Sequence, residues 1–299
     1  MNDPYVIDDA RGESWHMMLG DSCERLAEVP DESIGFSVYS PPFASLFTYS
    51  PSLRDLGNSA SRQEFLEHYG YVSREVLRTL MPGRTIAVHC QQLTSTKSTH
   101  GVIGLTDFRG ELIRQHQDDG WIFHGEVTID KDPQAQAIRT KAQALMFVQL
   151  ERDAAMSRPA LADYLLLFRK PGDNAIPVKP DCDRDTWISW ARPVWYDIRE
   201  TDTLNKALAR EDRDEKHIAP LQLGLIERAV RLWVNRGETV LSPFAGIGSE
   251  GVVSVRWGRR FVGIELKPSY WNVAVQNLRD EEERLAAPTI ESALAEAMP

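Results

Sequence analysis

The sequence predicts an α/β fold, a mostly parallel, twisted sheet flanked by helices. Three observations point there. Apolar runs at 15–19, 34–39, 85–90, 121–129, 142–150, 163–169, 237–242 and 260–264 have the length and composition of strands. Segments with apolar residues at helical spacing alternate with them, at 63–81, 107–119, 218–235, 249–257 and 267–283. One late unit, 237–265, runs strand, glycine loop, helix, strand, acid, the order of a nucleotide-binding βαβ unit. With 299 residues the chain can bury one elaborated domain or two small ones.

The strand at 15–19 ends in Gly20-Asp21, and a helix starts over 22–28. Asp21 reads as the N-cap of that helix or as an acceptor for the adenine amino group of a bound cofactor, and one carboxylate can do both. The strand at 34–39 stops at Ser40-Pro41-Pro42-Phe43, because two prolines donate nothing to a ladder and fix their own φ. This corner offers a hydroxyl, backbone carbonyls and a flat ring at a strand's carboxyl end, where open α/β sheets bind ligands. Acceptors beside a stacking face suit an exocyclic amino group on a flat base; the plain alternative is a strand-ending turn. The loop 44–62 places Tyr49, Asp55 and Asn58 beside the corner as contacts to a base or backbone. The helix 63–81 carries Phe65, Leu66, Tyr69, Val72, Val76, Leu77 and Leu80 at helical spacing and ends at Pro82-Gly83. A polar loop at 91–101 holds Lys97.

Segment 173–216 breaks the alternation. Its apolar periodicity is weak, and it carries Trp187, Trp190, Arg192 and Trp195. Such a segment reads as an exposed subdomain or as a flap over the site. Its tryptophans either form a small aromatic core or stack on nucleic-acid bases.

Composition narrows the function. Hydrophobic residues are 42% and charged residues 26%, ordinary values for a globular chain. No run of about 18 apolar residues suggests a membrane span. The N-terminus lacks the basic and apolar regions of a signal peptide, so a cytoplasmic location is expected. Cys23, Cys90 and Cys182 are scattered, odd in number and outside any CxxC pair, which fits a reducing compartment. His89 and Cys90 are adjacent on a strand, so their side chains diverge, and no metal site is expected. The net charge is −10, unusual for a nucleic-acid binder, but half of it lies in residues 280–299, and 131–170 is locally basic.

The glycine loop Gly246-Ile247-Gly248-Ser249-Glu250-Gly251 satisfies G-x-G-x-x-G, and Glu265 stands at the end of the next strand. A nicotinamide-dependent oxidoreductase is therefore a real rival. Against it, Glu250 sits within the loop, where a pyrophosphate would be repelled, and the unit lies late in the chain. A cofactor without phosphate, carrying a positive sulfonium, tolerates acids at that place.

Several motifs together resemble one family. Ser40-Pro41-Pro42-Phe43 is similar to the Ser-Pro-Pro-Tyr/Phe corner of the DNA amino-methyltransferases. Ser242-Pro243-Phe244-Ala245-Gly246-Ile247-Gly248-Ser249 resembles their Asp-Pro-Phe-x-Gly-x-Gly-Thr loop, with Ser242 in place of the leading Asp. Lys216-His217-Ile218-Ala219-Pro220-Leu221 resembles their Lys-x-His-Pro segment, with the proline two residues late. The order, catalytic corner first and cofactor loop last, is that of the permuted β group, including phage-borne members. The resemblance spans most of 15–278.

It implies a Rossmann-like class I methyltransferase fold and S-adenosyl-L-methionine as cofactor, converted to S-adenosyl-L-homocysteine. It places Asp21, Ser40, His217, Ser242, Pro243, Phe244, Gly246, Gly248, Ser249 and Glu265 at the cofactor, and Ser40, Pro41, Pro42 and Phe43 at the chemistry. Tyr49, Lys97, Trp187, Trp190, Arg192 and Trp195 are the expected contacts to DNA or the base. The chain then divides into a catalytic half (1–172), an inserted target-recognition region (173–216), a cofactor half (217–285) and an acidic tail (286–299). Double-stranded DNA is the implied partner, with room for a cognate restriction endonuclease and a homodimer, and no membrane. The implied reaction is direct methyl transfer to an exocyclic amino nitrogen of a flipped-out base, with the released proton passing to water. Serine at the first corner position favours cytosine N4 over adenine N6. Cytosine C5 chemistry is rejected, because none of the three cysteines follows a proline. A non-catalytic DNA- or cofactor-binding protein with the same fold is the remaining alternative.

Overall fold

A computed structural model describes residues 5–42, 54–59, 61–95, 97, 101–140, 142–204 and 220–287. Its first elements are β1 (Asp8–Arg11), β2 (Trp15–Leu19), α1 (Ser22–Arg25), β3 (Phe36–Tyr39), α2 (Arg62–Thr79) and β4 (Thr85–Gln91). A short hairpin, β5 (Leu93–Ser95) with β6 (Gly104–Thr106), precedes α3 (Phe108–Asp118) and β7 (Ile122–Ile129). Two helices, α4 (Pro133–Thr140) and α5 (Phe147–Arg152), lead to β8 (Asp163–Arg169), α6 (Arg184–Trp190) and β9 (Val194–Trp195). The last unit is α7 (Leu223–Trp233), β10 (Thr239–Ser242), α8 (Ser249–Arg256), β11 (Arg260–Glu265) and α9 (Pro268–Ala286).

Nine strands form one sheet in the order β1-β2-β11-β10-β3-β4-β8-β7-β9. The central five, β2, β11, β10, β3 and β4, are parallel. On one side β1 runs antiparallel to β2; on the other, β8 runs antiparallel to both β4 and β7. Alternate side chains of each strand enter opposite faces. Phe36, Val38, Ala87 and Val240 pack with α7, α8 and α9, while Tyr39, Ile86, Val88 and Leu241 pack with α2 and α3. The expected α/β architecture is therefore present as a mixed, mostly parallel sheet covered on both faces.

Three expectations change. Residues 142–150 do not form a strand: a single turn at Gln143–Leu145 leads into α5. β7 and β8 pair directly with each other, so no sheet edge is free there, and the Ala, Gln, Leu and Met of this stretch are good helix formers. The polar loop 91–101 contains the end of β4 and the first hairpin strand. Segment 173–216 is not a free-standing subdomain in its described part. β9 pairs in parallel with β7 and closes the sheet, and Asp181 pairs with the buried Arg259 at 2.8 Å.

α8 lies close on β11 because Gly251 has no side chain. A Cβ there would sit 2.6 Å from the Phe261 ring. Gly251→Ala is expected to cost about 1–3 kcal/mol through overpacking, read as a lower urea midpoint with an unchanged slope; an unaltered midpoint would show that the ring yields freely.

Candidate functional site

The carboxyl ends of β2, β3, β10 and β11 meet on one edge of the sheet, around the point where strand order reverses between β10 and β3. They open into a cleft of about 1080 Å³, part of it continuous with solvent. Asp21, Ser40, Pro41, Pro42, Pro243, Phe244, Gly246, Ser249, Glu250 and Glu265 all line it. Residues from four separate stretches of chain thus share one cavity.

The glycine loop sets one wall. Gly246 has φ 52° and Gly248, which caps α8, has φ 84°, both in the left-handed region that favours glycine. A Cβ on Gly248 would also stand 3.1 Å from that of Ala274 in α9. The loop is tied down by the Ser22 hydroxyl, which donates to the Pro243 carbonyl. Glu265 braces it: its carboxylate accepts from Gly246 N and Lys267 N, each at 2.8 Å. Burial pushes the Glu265 carboxyl up to about 7, against those two amides, which pull it down. Glu250, in the first turn of α8, is buried and pushed up to about 8 by burial, with Glu265 adding to the rise. The Ser249 hydroxyl is buried at the cleft wall and has no partner among the described residues. A loop flanked by two carboxyls and an orphaned hydroxyl is built for amino and hydroxyl groups on a cationic ligand, not for a phosphate.

Asp21 is the N-cap of α1, accepting from Cys23 N at 2.9 Å, and its other oxygen lies 3.3 Å from Arg54. It also lines the cleft. Across the cleft, the corner is fixed from behind. Tyr39 bonds Tyr69 hydroxyl to hydroxyl at 2.9 Å, and Phe244 meets the Tyr39 ring edge-on at 5.8 Å. The Ser40 hydroxyl lies 3.3 Å from the His89 carbonyl and 3.4 Å from His89 Nδ1.

Not every expected site residue is here. Ser242 is fully buried in β10, with its hydroxyl unpartnered among the described residues, and does not line the cleft. Phe43, Tyr49 and His217 lie outside the described residues. Trp195 is a correction: at 1% exposure it belongs to the main core and cannot stack on a base. Trp190 is half-buried against the same core, with Arg231 over its ring at 5.0 Å, so a base cannot take that face. Trp187, Arg192 and Lys97 are exposed, away from the cleft lining. Sequence reasoning missed Cys23, Arg54, Leu56, Lys267 and Tyr270 in the lining, although Lys267 and Tyr270 follow directly on Glu265. Among the described residues no helix is long and apolar enough to cross a membrane, and no group of three His, Cys, Asp or Glu is placed to hold a metal.

The Glu250 carboxyl sits above the usual value of 4.5, so its neutral form supports folding. That support is complete below about pH 4.5 and is lost as the pH rises through about 8. Glu250→Gln is expected to raise the melting temperature of the ligand-free protein at pH 8, by about 2–4 °C for each kcal/mol relieved. Near pH 4.5 it should match the parent, and a difference that stays constant with pH would contradict this.

Comparison with known proteins agrees with the cleft. The chain is 30% identical over 117 residues to the type II methyltransferase M.BglI of Bacillus subtilis, a match covering 39% of this chain and 30% of that protein. The first three such relatives are matched over only 22–30% of their length. In fold it is similar to TTHA0409 of Thermus thermophilus, whose structure is known complexed with S-adenosyl-L-methionine. The TM-score is 0.65 at 24% identity, covering 88% of this chain and 94% of that one. It is also similar to the cytosine-N4-specific PvuII DNA methyltransferase, with TM-score 0.63 at 19% identity, covering 91% and 93% of the two chains. The N6/N4 methyltransferase family model, that of a DNA methylase, matches residues 34–276. With most of its length inside that match, the chain belongs to the N6/N4 DNA methylase family.

Proposed function

We propose that the protein methylates an exocyclic amino group in double-stranded DNA, with S-adenosyl-L-methionine as donor. The observation that carries this is the meeting, in one cleft, of the Ser40-Pro41 corner with a glycine loop flanked by Glu250 and Glu265. Family membership supports it, as does the cofactor in the Thermus structure. The residues present fit the cofactor: Asp21, Ser249 and Glu265 offer acceptors, Phe244 and Ile247 an apolar wall, and the acids suit a positive charge. The same acids speak against a dinucleotide, whose pyrophosphate they would repel. When bound, S-adenosyl-L-methionine supplies a methyl group on a positively charged sulfur.

The chain's own part is positioning and electrostatics. An exocyclic amino nitrogen delocalises its lone pair into the ring and is a poor nucleophile. Acceptors at Ser40 Oγ and the Pro41 carbonyl draw the N–H bonds out of the ring plane and free that pair. Reaching the corner requires the base to leave the helix, with Phe43 as the stacking ring. Catalytic corner before cofactor loop is the order of the permuted β group. The favoured target is cytosine N4, on the serine at position 40 and the likeness to the PvuII enzyme. Adenine N6 is the second reading, since both bases offer the same amino group to the same acceptors.

Residues 173–216 serve as target-recognition region in this reading, supported by Trp187, which is 48% exposed, and by the exposed Arg192. The relatives' designation as type II methyltransferases supports a restriction endonuclease acting at the same DNA sequence. Trp187→Ala is expected to raise the KM for DNA several-fold and leave cofactor affinity unchanged; an unchanged KM would remove Trp187 from the interface. The reading as a whole is tested by transfer of labelled methyl to unmethylated genomic DNA, followed by nucleoside mass spectrometry. N4-methylcytosine is expected. N6-methyladenine would overturn the base assignment, and no modified nucleoside, with cofactor bound, would overturn the enzyme.

A further inference from the structure

A line of polar groups runs across the sheet behind the corner, one from each of four neighbouring strands. Ser40 follows β3, His89 is on β4, Asp163 opens β8 and Lys131 lies just past β7, and the sheet order there is β3-β4-β8-β7. Ser40 Oγ stands 3.4 Å from His89 Nδ1; His89 Nε2 stands 3.1 Å from Asp163 Oδ2; Lys131 Nζ stands 2.6 Å from the same oxygen. His89, Asp163 and Lys131 are 8%, 5% and 7% exposed. The Asp163 carboxyl sits below the usual range: burial raises it, but His89 and Lys131 outweigh that.

An Asp163–Lys131 pair is neutral as a unit and needs no histidine for its own sake. An apolar residue at position 89 would pack as well as its neighbours Val88 and Cys90 do on the opposite face. Beside its contact with Asp163, the histidine turns its other ring nitrogen toward Ser40. From the Ser40–His89–Asp163–Lys131 line we infer that His89 is a positioning residue, acting through Ser40, that aims the serine oxygen and takes up the proton released from the substrate amino group. This rests on the methyltransferase reading above.

Asp163 Oδ2, 3.1 Å from Nε2 though not aligned for a hydrogen bond in this structure, favours the imidazole tautomer with its proton on Nε2. Nδ1 is then a bare acceptor beside the Ser40 hydroxyl, which donates to the His89 carbonyl at 3.3 Å in this structure and reaches Nδ1, at 3.4 Å, by rotating about its own C–O bond. The serine's lone pairs are left facing the cleft, where an amino N–H needs an acceptor. Once the nitrogen has gained its methyl it carries one proton too many. That N–H bond breaks toward Ser40 Oγ while the serine O–H bond breaks toward Nδ1, so an O–H and an N–H form and Ser40 ends neutral. The positive charge comes to rest on the imidazolium. The charged groups facing it are Asp163, from β8, which holds it, and Lys131, from the end of β7, which opposes it. The proton therefore goes to a fixed base and not to water, which revises the expectation from sequence. The 3.3–3.4 Å separations at Ser40 are long and are of the kind that tighten once substrate is bound.

Two measurements on the full chain test this. In the ¹⁵N-labelled protein, side-chain nitrogen spectra are expected to show the His89 tautomer protonated on Nε2, with the Nδ1 resonance shifted by Ser40→Ala and the tautomer ratio altered by Asp163→Asn. A proton on Nδ1 in the parent protein would overturn the inference whatever the activity. The second measurement is single-turnover methyl transfer at a fixed pH. His89→Gln should lower the parent rate about 10–100-fold and keep cofactor affinity. Transfer in His89→Gln at the parent's rate would overturn the role of His89 alone. A parent protein that binds cofactor and transfers nothing would reject the methyltransferase reading, and the relay with it. Should His89→Gln fail to fold, the nitrogen spectra of the parent and of Ser40→Ala decide.

Discussion

Everything functional here depends on parallel pairing. A parallel strand presents its carboxyl end on the same edge as its neighbour, so β2, β11, β10 and β3 bring four loop beginnings to one place. In sequence Asp21, Ser40, Pro243 and Glu265 are scattered over most of the chain; in the sheet they line one cleft. The strand order reverses between β10 and β3, and that reversal is what splits the loops apart and leaves a cavity. Ser22 and Ser37 stitch this edge together, the first to the Pro243 carbonyl and the second to the Leu241 carbonyl at 2.8 Å.

The electrostatics follow from where the acids are put. Glu250 and Glu265 are carboxyls in an apolar cleft whose charged forms are penalised by burial. A ligand carrying positive charge relieves that penalty, and one carrying phosphate increases it. The folded protein thus holds two carboxyls whose ionisation a cationic ligand would favour, a common source of selectivity at functional sites. The chain's excess negative charge, unhelpful for gripping DNA at large, is in this one place an advantage.

The parts of the site built from local chemistry were legible in the sequence. Pro41-Pro42 ends a strand because proline must, Asp21 caps because aspartate after a strand caps, and the glycines of 246–251 permit positive φ and the close contact with Phe261. The parts built from distant pairings were not. His89, Asp163 and Lys131 come together only because β8 turns back antiparallel between β4 and β7, a reversal that no spacing in the chain announces. Residues 142–150 misled for a related reason: apolar content suggests a strand, but a strand needs a free neighbour, and β7 and β8 already pair with each other. Trp195 misled in the other direction, since an aromatic in a polar stretch looks like a contact residue until β9 closes the sheet edge and buries it.

The central claim is that the carboxyl-edge cleft is made for a cationic, phosphate-free cofactor. Titration calorimetry of the purified chain with S-adenosyl-L-methionine and, separately, with NAD tests it most directly. Saturable one-to-one binding of the first, competed by S-adenosyl-L-homocysteine and weakened by Glu265→Ala, with no heat from NAD, is the predicted result. Binding of NAD at the same site, or indifference to S-adenosyl-L-methionine, would contradict it.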